Sequence, residues 1–175
     1  MIVDINKENI KDVNNSNEPY TIFGKIVPEY KNNFWTFSEE NISEPYEYVY
    51  PIDEQDYSTF INNDSKNIFL YYVENNCVGQ IIIKKYWNKN SYIQDIGVKK
   101  DHRNMGIGHK LMDQAVKWTK EKNLNGIMLE TQDVNLTACR FYKRYGFILG
   151  GVDIMLYSNF PKIKNQKALF WYYKV

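Results

Sequence analysis

Four consecutive pieces decide the fold: SYIQDIGV (91–98), KKDH (99–102), RNMGIG (103–108) and HKLMDQAVKWTKEK (109–122). The first reads as a strand. From the end of the third piece through the last, Ile107, Leu111, Met112, Ala115, Val116 and Thr119 recur at helical spacing, and Asn123 to Asn125 end the helix. Between them lies Arg103-x-x-Gly106-x-Gly108, a strand-to-helix turn. A helix start presents unpaired N–H groups and positive partial charge, which suit a phosphate. Gly106 and Gly108 leave the backbone approachable, and Arg103 can add charge. The same glycines also suit an ordinary turn. The spacing is neither G-x-x-x-x-G-K-[ST] nor G-x-G-x-x-G.

Upstream of this stretch the chain reads as a meander. Ile68 to Glu74 is a buried strand, Asn75-Asn76 has turn chemistry, and Val78 to Lys85 is the hairpin partner. Trp87 to Asn90 makes a second polar turn. Downstream, Gly126 to Thr131 is a strand and Leu136 to Tyr145 a helix stopped by Gly146. Val152 to Tyr157 and Ala168 to Lys174 close the chain as strands. Antiparallel strands followed by β-α-β-α-β predict an α+β domain with a mixed, mostly antiparallel sheet flanked by helices. The first 33 residues give little pattern: Glu8 to Val13 reads as one short helix, and Thr21 to Val27 as a strand ended by Pro28.

The window Ser38 to Ser58 stands apart. It holds seven acids (Glu39, Glu40, Glu44, Glu47, Asp53, Glu54 and Asp56), no Lys or Arg, and Tyr46, Tyr48, Tyr50 and Tyr57 between them. Acids among rigid aromatic walls suit a cationic ligand, although a solvated acidic loop has the same composition. The later half, Asp53 to Asn62, reads as a helix with Tyr57, Phe60 and Ile61 inward.

Composition narrows the class. With 175 residues and 43% apolar content the chain suits one core-forming domain, residues 1–175, rather than a disordered chain. A net charge of +1 gives no global bias toward nucleic acid or an anionic membrane. Cys77 and Cys139 are far apart, and His102 and His109 are too few for a His-based centre, so no metal site is expected. The N-terminus lacks the apolar run of a secretory signal, and no stretch reaches the ~20 apolar residues of a membrane span. These features predict a cytoplasmic protein with reduced thiols. Oligomeric state is not fixed by the sequence; a homodimer is among the assemblies left open.

The R-x-x-G-x-G turn between a strand and a long amphipathic helix resembles the pyrophosphate loop of the GNAT acetyltransferases. Asn135, Ala138, Phe141, Tyr142, Gly146 and Phe147 are similar to that family's second block, N-x-x-A-x-x-[FL]-Y-x-x-x-G-F. The resemblance covers about residues 68–157. A narrower resemblance, to the streptothricin acetyltransferases, runs along nearly the whole chain. It is carried by Glu18-Pro19, Ile22 to Pro28, Trp35-Thr36-Phe37, Glu44-Pro45-Tyr46, Cys77-Val78-Gly79, Leu129 to Asp133, Met155-Leu156-Tyr157 and Ala168 to Tyr172.

The resemblance implies a GNAT fold and acetyl-CoA as cosubstrate. It implies that the backbone of Ile96, Gly97 and Val98 pairs with the pantetheine arm, in the manner of an added strand. Backbone N–H groups from Arg103, Asn104, Met105, Gly106, Ile107 and Gly108 would hold the pyrophosphate. Asn135 would contact the cofactor arm, and Tyr142 would protonate the departing thiolate, as a phenol of pKa near ~10 can. An alkyl ammonium must also lose a proton, which Asp95 or Glu130 could accept. The implied reaction is direct acetyl transfer to the β-lysine part of streptothricin, with resistance as the outcome. Glu39, Glu40, Glu44 and Glu47 are the candidate substrate contacts. Acetylation of a polyamine or aminoglycoside, or CoA binding without catalysis, are the rival readings.

Overall fold

The computed structural model describes all residues, 1–175. In chain order the elements are β1 (Ile2–Asp4), β2 (Tyr20–Lys31), β3 (Phe34–Tyr48), β4 (Lys66–Val73), β5 (Asn76–Lys85), β6 (Ser91–Val98), α1 (Ile107–Glu121), β7 (Gly126–Gln132), α2 (Leu136–Tyr145), β8 (Ile148–Asp153) and β9 (Ala168–Lys174). The chain divides into two compact units. One comprises residues 1–20, 49–127 and 175, the other residues 21–48 and 128–174. No helix is long and apolar enough to cross a membrane.

In the first unit the strand order is β1-β4-β5-β6, every neighbouring pair antiparallel. The β4–β5 turn pairs Val73 with Asn76, so its two central residues are Glu74 and Asn75, at φ 47° and 67°. That is a left-handed two-residue hairpin turn, one residue earlier than the expected Asn75-Asn76. On β5 every residue from Cys77 to Ile83 is buried, because both faces of the strand are covered. One face packs into a cluster of Ile5, Phe60, Ile68, Leu70, Cys77 and Ile82. The opposite face meets α1, which buries Ile107, Leu111, Met112, Ala115, Trp118 and Thr119. Trp118 replaces Val116 in the expected stripe.

The second unit contains the β2–β3 ladder and the strand order β7-β9-β8, with α2 between β7 and β8. Asn32 and Asn33, at φ 53° and 65°, form the β2–β3 turn. Tyr142, Phe147, Trp171 and Tyr173 build an aromatic cluster, with Tyr142 centred 5.7 Å from Phe147 and 6.3 Å from Trp171.

Several expected boundaries move. β2 does not stop at Pro28 but runs on to Lys31. Ile26 N–H points away from β3, toward the Asp133 carbonyl at 2.8 Å. Pro28 shares that parity, so its missing N–H removes no bond to β3. The expected helix at Glu8 to Val13 is only a 3-10 turn, Ile10–Asp12. Asn6 Oδ1 accepts the N–H of Glu8 and of Asn9, and these local bonds compete with a helix. Likewise Asp53 to Asn62 forms a single turn at Tyr57–Phe60, with Phe60 buried and Tyr57 and Ile61 half-buried. The strand expected at Val152 to Tyr157 is instead β8, ending at Asp153. Its Oδ1 accepts the N–H groups of Met155 and Leu156 and turns the chain.

Candidate active site

Within the first unit, β6 carries Asp95 directly before Ile96, Gly97 and Val98. The β5–β6 register passes from Ile82↔Asp95 to Ile83↔Ile93, which leaves Gln94 as the extra residue of a β-bulge. A bulge bends and twists its strand, a device common beside active sites. Val98, Gly97 and Ile96 pair with Gly79, Gln80 and Ile81 on the β5 side.

The Asp95 carboxylate is not isolated. Gln80 Nε2 donates to its Oδ2 at 2.6 Å. Gln80 also donates to Asn14 Oδ1 at 3.2 Å and accepts from the Asn14 backbone N–H at 2.7 Å. Burial pushes the Asp95 carboxyl above the usual carboxylate range; the Gln80 bond pulls it back and the nearby Asp53 charge adds to the rise. Neither Gln80 nor Asn14 was expected from the sequence. The available signal was an amide inside the apolar run Val78 to Ile83, where a polar side chain needs a partner.

The turn after β6 leads through a 3-10 turn, Lys100–His102, to Gly106, which caps α1 at φ 80° and ψ 1°. No side chain caps this helix start. A Cβ built on Gly106 would meet nothing within 4 Å, so the space beside this residue is open. A fifteen-residue helix whose first donors take no side-chain cap is a physical fit for a phosphate group. The Arg103 guanidinium bonds the carbonyls of Val98 at 2.9 Å and Pro19 at 3.1 Å. Glu18 accepts the Lys100 N–H at 2.5 Å from the same side. Asn104 joins Gly106 in the left-handed region at φ 62°, and Met105 is exposed.

Within the second unit, β7 carries Glu130, whose carboxyl is raised by burial and bonded by the Tyr157 hydroxyl. Tyr157 is buried. Asn135 is the N-cap of α2: its Oδ1 accepts the Ala138 N–H at 3.1 Å. About two helical turns further on, Tyr142 is buried among Phe141, Phe147 and Trp171. Asp133, at the end of β7, is buried, and burial raises its carboxyl too.

The four candidate glutamates all lie on β3 or its continuation, a strand not read from the sequence. Glu39 takes a forked bond from Arg140, at 3.1 Å from Nε to each oxygen. Arg140 in turn lies over the Phe23 ring, 5.2 Å from its centre. Glu40 pairs with Lys25 at 3.4 Å, and Glu47 accepts the Thr21 hydroxyl at 2.5 Å. Glu44 is exposed. Strand alternation sends Glu39 and Glu40 to opposite faces of β3.

Residues 31–147 match the model of the acetyltransferase (GNAT) family. Streptothricin acetyltransferase A of Bacillus subtilis (strain 168) is 48% identical over 174 residues, covering 99% of each chain. A Bacillus anthracis str. Ames protein assigned as a streptothricin acetyltransferase, solved with acetyl coenzyme A, matches at 31% identity and a TM-score of 0.93. That match covers 100% of this chain and 99% of the other. A nourseothricin acetyltransferase structure shares the fold, with a TM-score of 0.82 at 22% identity over 99% of this chain and 97% of that one.

Proposed function

Because the chain belongs to the acetyltransferase (GNAT) family, we propose that it moves the acetyl group of acetyl-CoA to an amine in the β-lysine part of streptothricin. The observation that carries this reading is the 48% identity to a streptothricin acetyltransferase along 99% of both chains. The open, uncapped start of α1 supports acetyl-CoA as the donor. We read residues 1–175 as one acetyltransferase domain working in the cytoplasm, where acetyl-CoA is supplied.

In the reaction we propose, the amine nitrogen attacks the thioester carbonyl carbon, the carbon–sulfur bond breaks, and an amide and a thiolate form. The backbone N–H groups of residues 103–108 bind the pyrophosphate, and Ile96 to Val98 bind the pantetheine arm through their backbone. Asn135 touches the same arm. Tyr142 gives its proton to the thiolate, and the phenolate is reprotonated by the second proton that the nitrogen sheds as the amide forms, so the protons balance. Asp95 takes the ammonium proton before attack. Two features support Asp95 over Glu130: it directly precedes the pantetheine segment, and its carboxylate faces an amide that cannot compete for the proton. No covalent enzyme intermediate is required, so the protein contributes position and charge stabilisation.

Mass spectrometry of streptothricin after incubation with enzyme and acetyl-CoA tests this. A gain of one acetyl group on the β-lysine is expected. Turnover of a polyamine or an aminoglycoside, with streptothricin left unmodified, would replace the substrate assignment while leaving the chemistry intact.

A further inference from the structure

We propose that Gln80 is a positioning residue for Asp95, holding the carboxylate as a fixed hydrogen-bond acceptor aimed by the sheet. The proposal rests on the reading of Asp95 as the base.

The amide orientation follows from its partners. The backbone N–H of Asn14 can only donate, and it lies 2.7 Å from Gln80 Oε1. The Gln80 nitrogen must therefore face Asp95, 2.6 Å from Oδ2. A flipped amide would set donor against donor at Asn14 and oxygen against carboxylate at Asp95. Asn14 is itself pinned. Its Nδ2 donates to the Tyr57 hydroxyl at 2.9 Å, and that hydroxyl donates to the Asp53 carbonyl at 3.1 Å. Every member of this line has an assigned partner, and Gln80 at its centre is 1% exposed. A fully bonded network with a buried amide at its centre fixes orientation where a partly bonded one would not.

The site of this network also matters. Gln80 pairs across the ladder with Gly97, next to Ile81↔Ile96, and Asp95 stands beside the bulge at Gln94. The bulge turns Asp95, and Gln80 decides where its carboxylate stops. An apolar residue would pack there as Ile81 and Ile82 do, without the need for partners.

Charge gives the sign of the effect. The charged group facing Asp95 from another segment is Asp53, whose carboxylate accepts from Gln94 at 3.1 Å; Tyr57 is the titratable group at the far end. Burial and Asp53 both favour protonated Asp95, and the Gln80 bond favours the ionised form. Loss of that bond therefore makes Asp95 harder to ionise.

The experiment is the pH profile of kcat/KM for streptothricin, for wild type and four variants, with folding checked by near-UV circular dichroism. Asp95→Asn is expected to lose the acid limb; if the wild-type limb persists, the base is another residue and the reading beneath the proposal fails. Gln80→Met is expected to move the limb up by about one pH unit, with KM for acetyl-CoA unchanged. Asn14→Gly keeps the backbone N–H that orients the amide and tolerates the left-handed φ of 70°; it loses the side chain that completes the network, so the limb should move the same way as in Gln80→Met but by less. Should Gln80→Met not fold, Gln80→Glu is the test, because a second carboxyl beside Asp95 also drives the limb upward. If Asp95→Asn abolishes the limb while a folded Gln80 variant merely melts earlier and keeps the wild-type limb, Gln80 is a structural fastener and the proposal is overturned.

Discussion

Arg103 Nε lies 2.9 Å from the carbonyl oxygen of Val98, so the residue that opens the glycine turn also clamps the strand before it. Its Nη1 reaches the Pro19 carbonyl at 3.1 Å, which ties a third segment into the same knot. The guanidinium shapes the loop through a planar fork that an ammonium cannot copy. Arg103→Lys keeps the charge but loses the fork. Calorimetry is expected to show acetyl-CoA binding weakened by about tenfold, the cost of roughly one hydrogen bond to a charged group. Unchanged affinity would mean that charge alone matters at this position.

Gly106 offers a sharper test of the same loop. At φ 80° a β-branched residue is strained, while asparagine tolerates the left-handed region. Since a Cβ there meets no protein atom within 4 Å, packing is not at issue. Gly106→Val should lower Tm and abolish measurable acetyl-CoA affinity. Gly106→Asn should nearly keep Tm and still bind weakly, because its side chain fills the space left for phosphate. Wild-type affinity in Gly106→Asn would show that the pyrophosphate lies elsewhere.

Tyr142 sits in a ring cluster that phenylalanine can fill equally well, with Phe147 centred 5.7 Å away. Tyr142→Phe should therefore fold and bind acetyl-CoA as wild type does. Its kcat should fall by about 10²-fold, the scale of a lost general acid. Single-turnover measurement checks this without interference from product release. A wild-type chemical step would remove the proton-donor role from Tyr142.

How legible this protein was depended on where its signals lie in the chain. Helices α1 and α2 were read closely because each has a local start and stop: Gly106 and Asn123 for one, Asn135 and Gly146 for the other. The start of β3 was missed although Asn32-Asn33 carries hairpin turn chemistry, since the exposed, acid-rich strand that follows lacks an apolar alternation. β8 was misplaced because Ile154 to Tyr157 is apolar yet turned by the Asp153 side chain, a contact that periodicity does not report. The carboxylates Asp95 and Glu130 were identifiable by position. Their partners Gln80 and Tyr157 are 15 and 27 residues away, and only the folded chain pairs them.

Gly24 gives a stability prediction in the second unit. A Cβ there would lie 2.5 Å from the Glu40 carbonyl oxygen and 2.7 Å from Leu136 Cδ1. The carbonyl belongs to the backbone of β3 and cannot rotate aside. Gly24→Ala should cost about 1–3 kcal/mol, the usual range for forced overpacking. Thermal unfolding checks it: a Tm equal to wild type would mean that the β2–β3 ladder yields without strain.

The acidic strand separates into groups with different expected behaviour. Arg140 holds the Glu39 carboxyl below the usual carboxylate range. The stability from this pair is present at neutral pH and lost as pH falls through the lowered folded value. Both side chains are about a third exposed or more, so the pair is worth under about 1 kcal/mol after solvent screening. Glu39→Gln should lower Tm slightly at pH 7 and match wild type in acid. Glu44 is exposed, so any role in attracting a polycationic substrate is long-range and screened over about 8 Å at physiological ionic strength. Glu44→Gln should therefore lower kcat/KM for streptothricin at low salt and leave it unchanged at high salt. A carboxylate that clamps the substrate ammonium directly would keep its effect at both. Measuring Glu39, Glu40, Glu44 and Glu47 as glutamine variants at two salt concentrations, with acetyl-CoA saturating, distinguishes the two. Four wild-type values at both salts would leave the acidic strand a solvated face held by Arg140 and Lys25, and place substrate recognition on other residues.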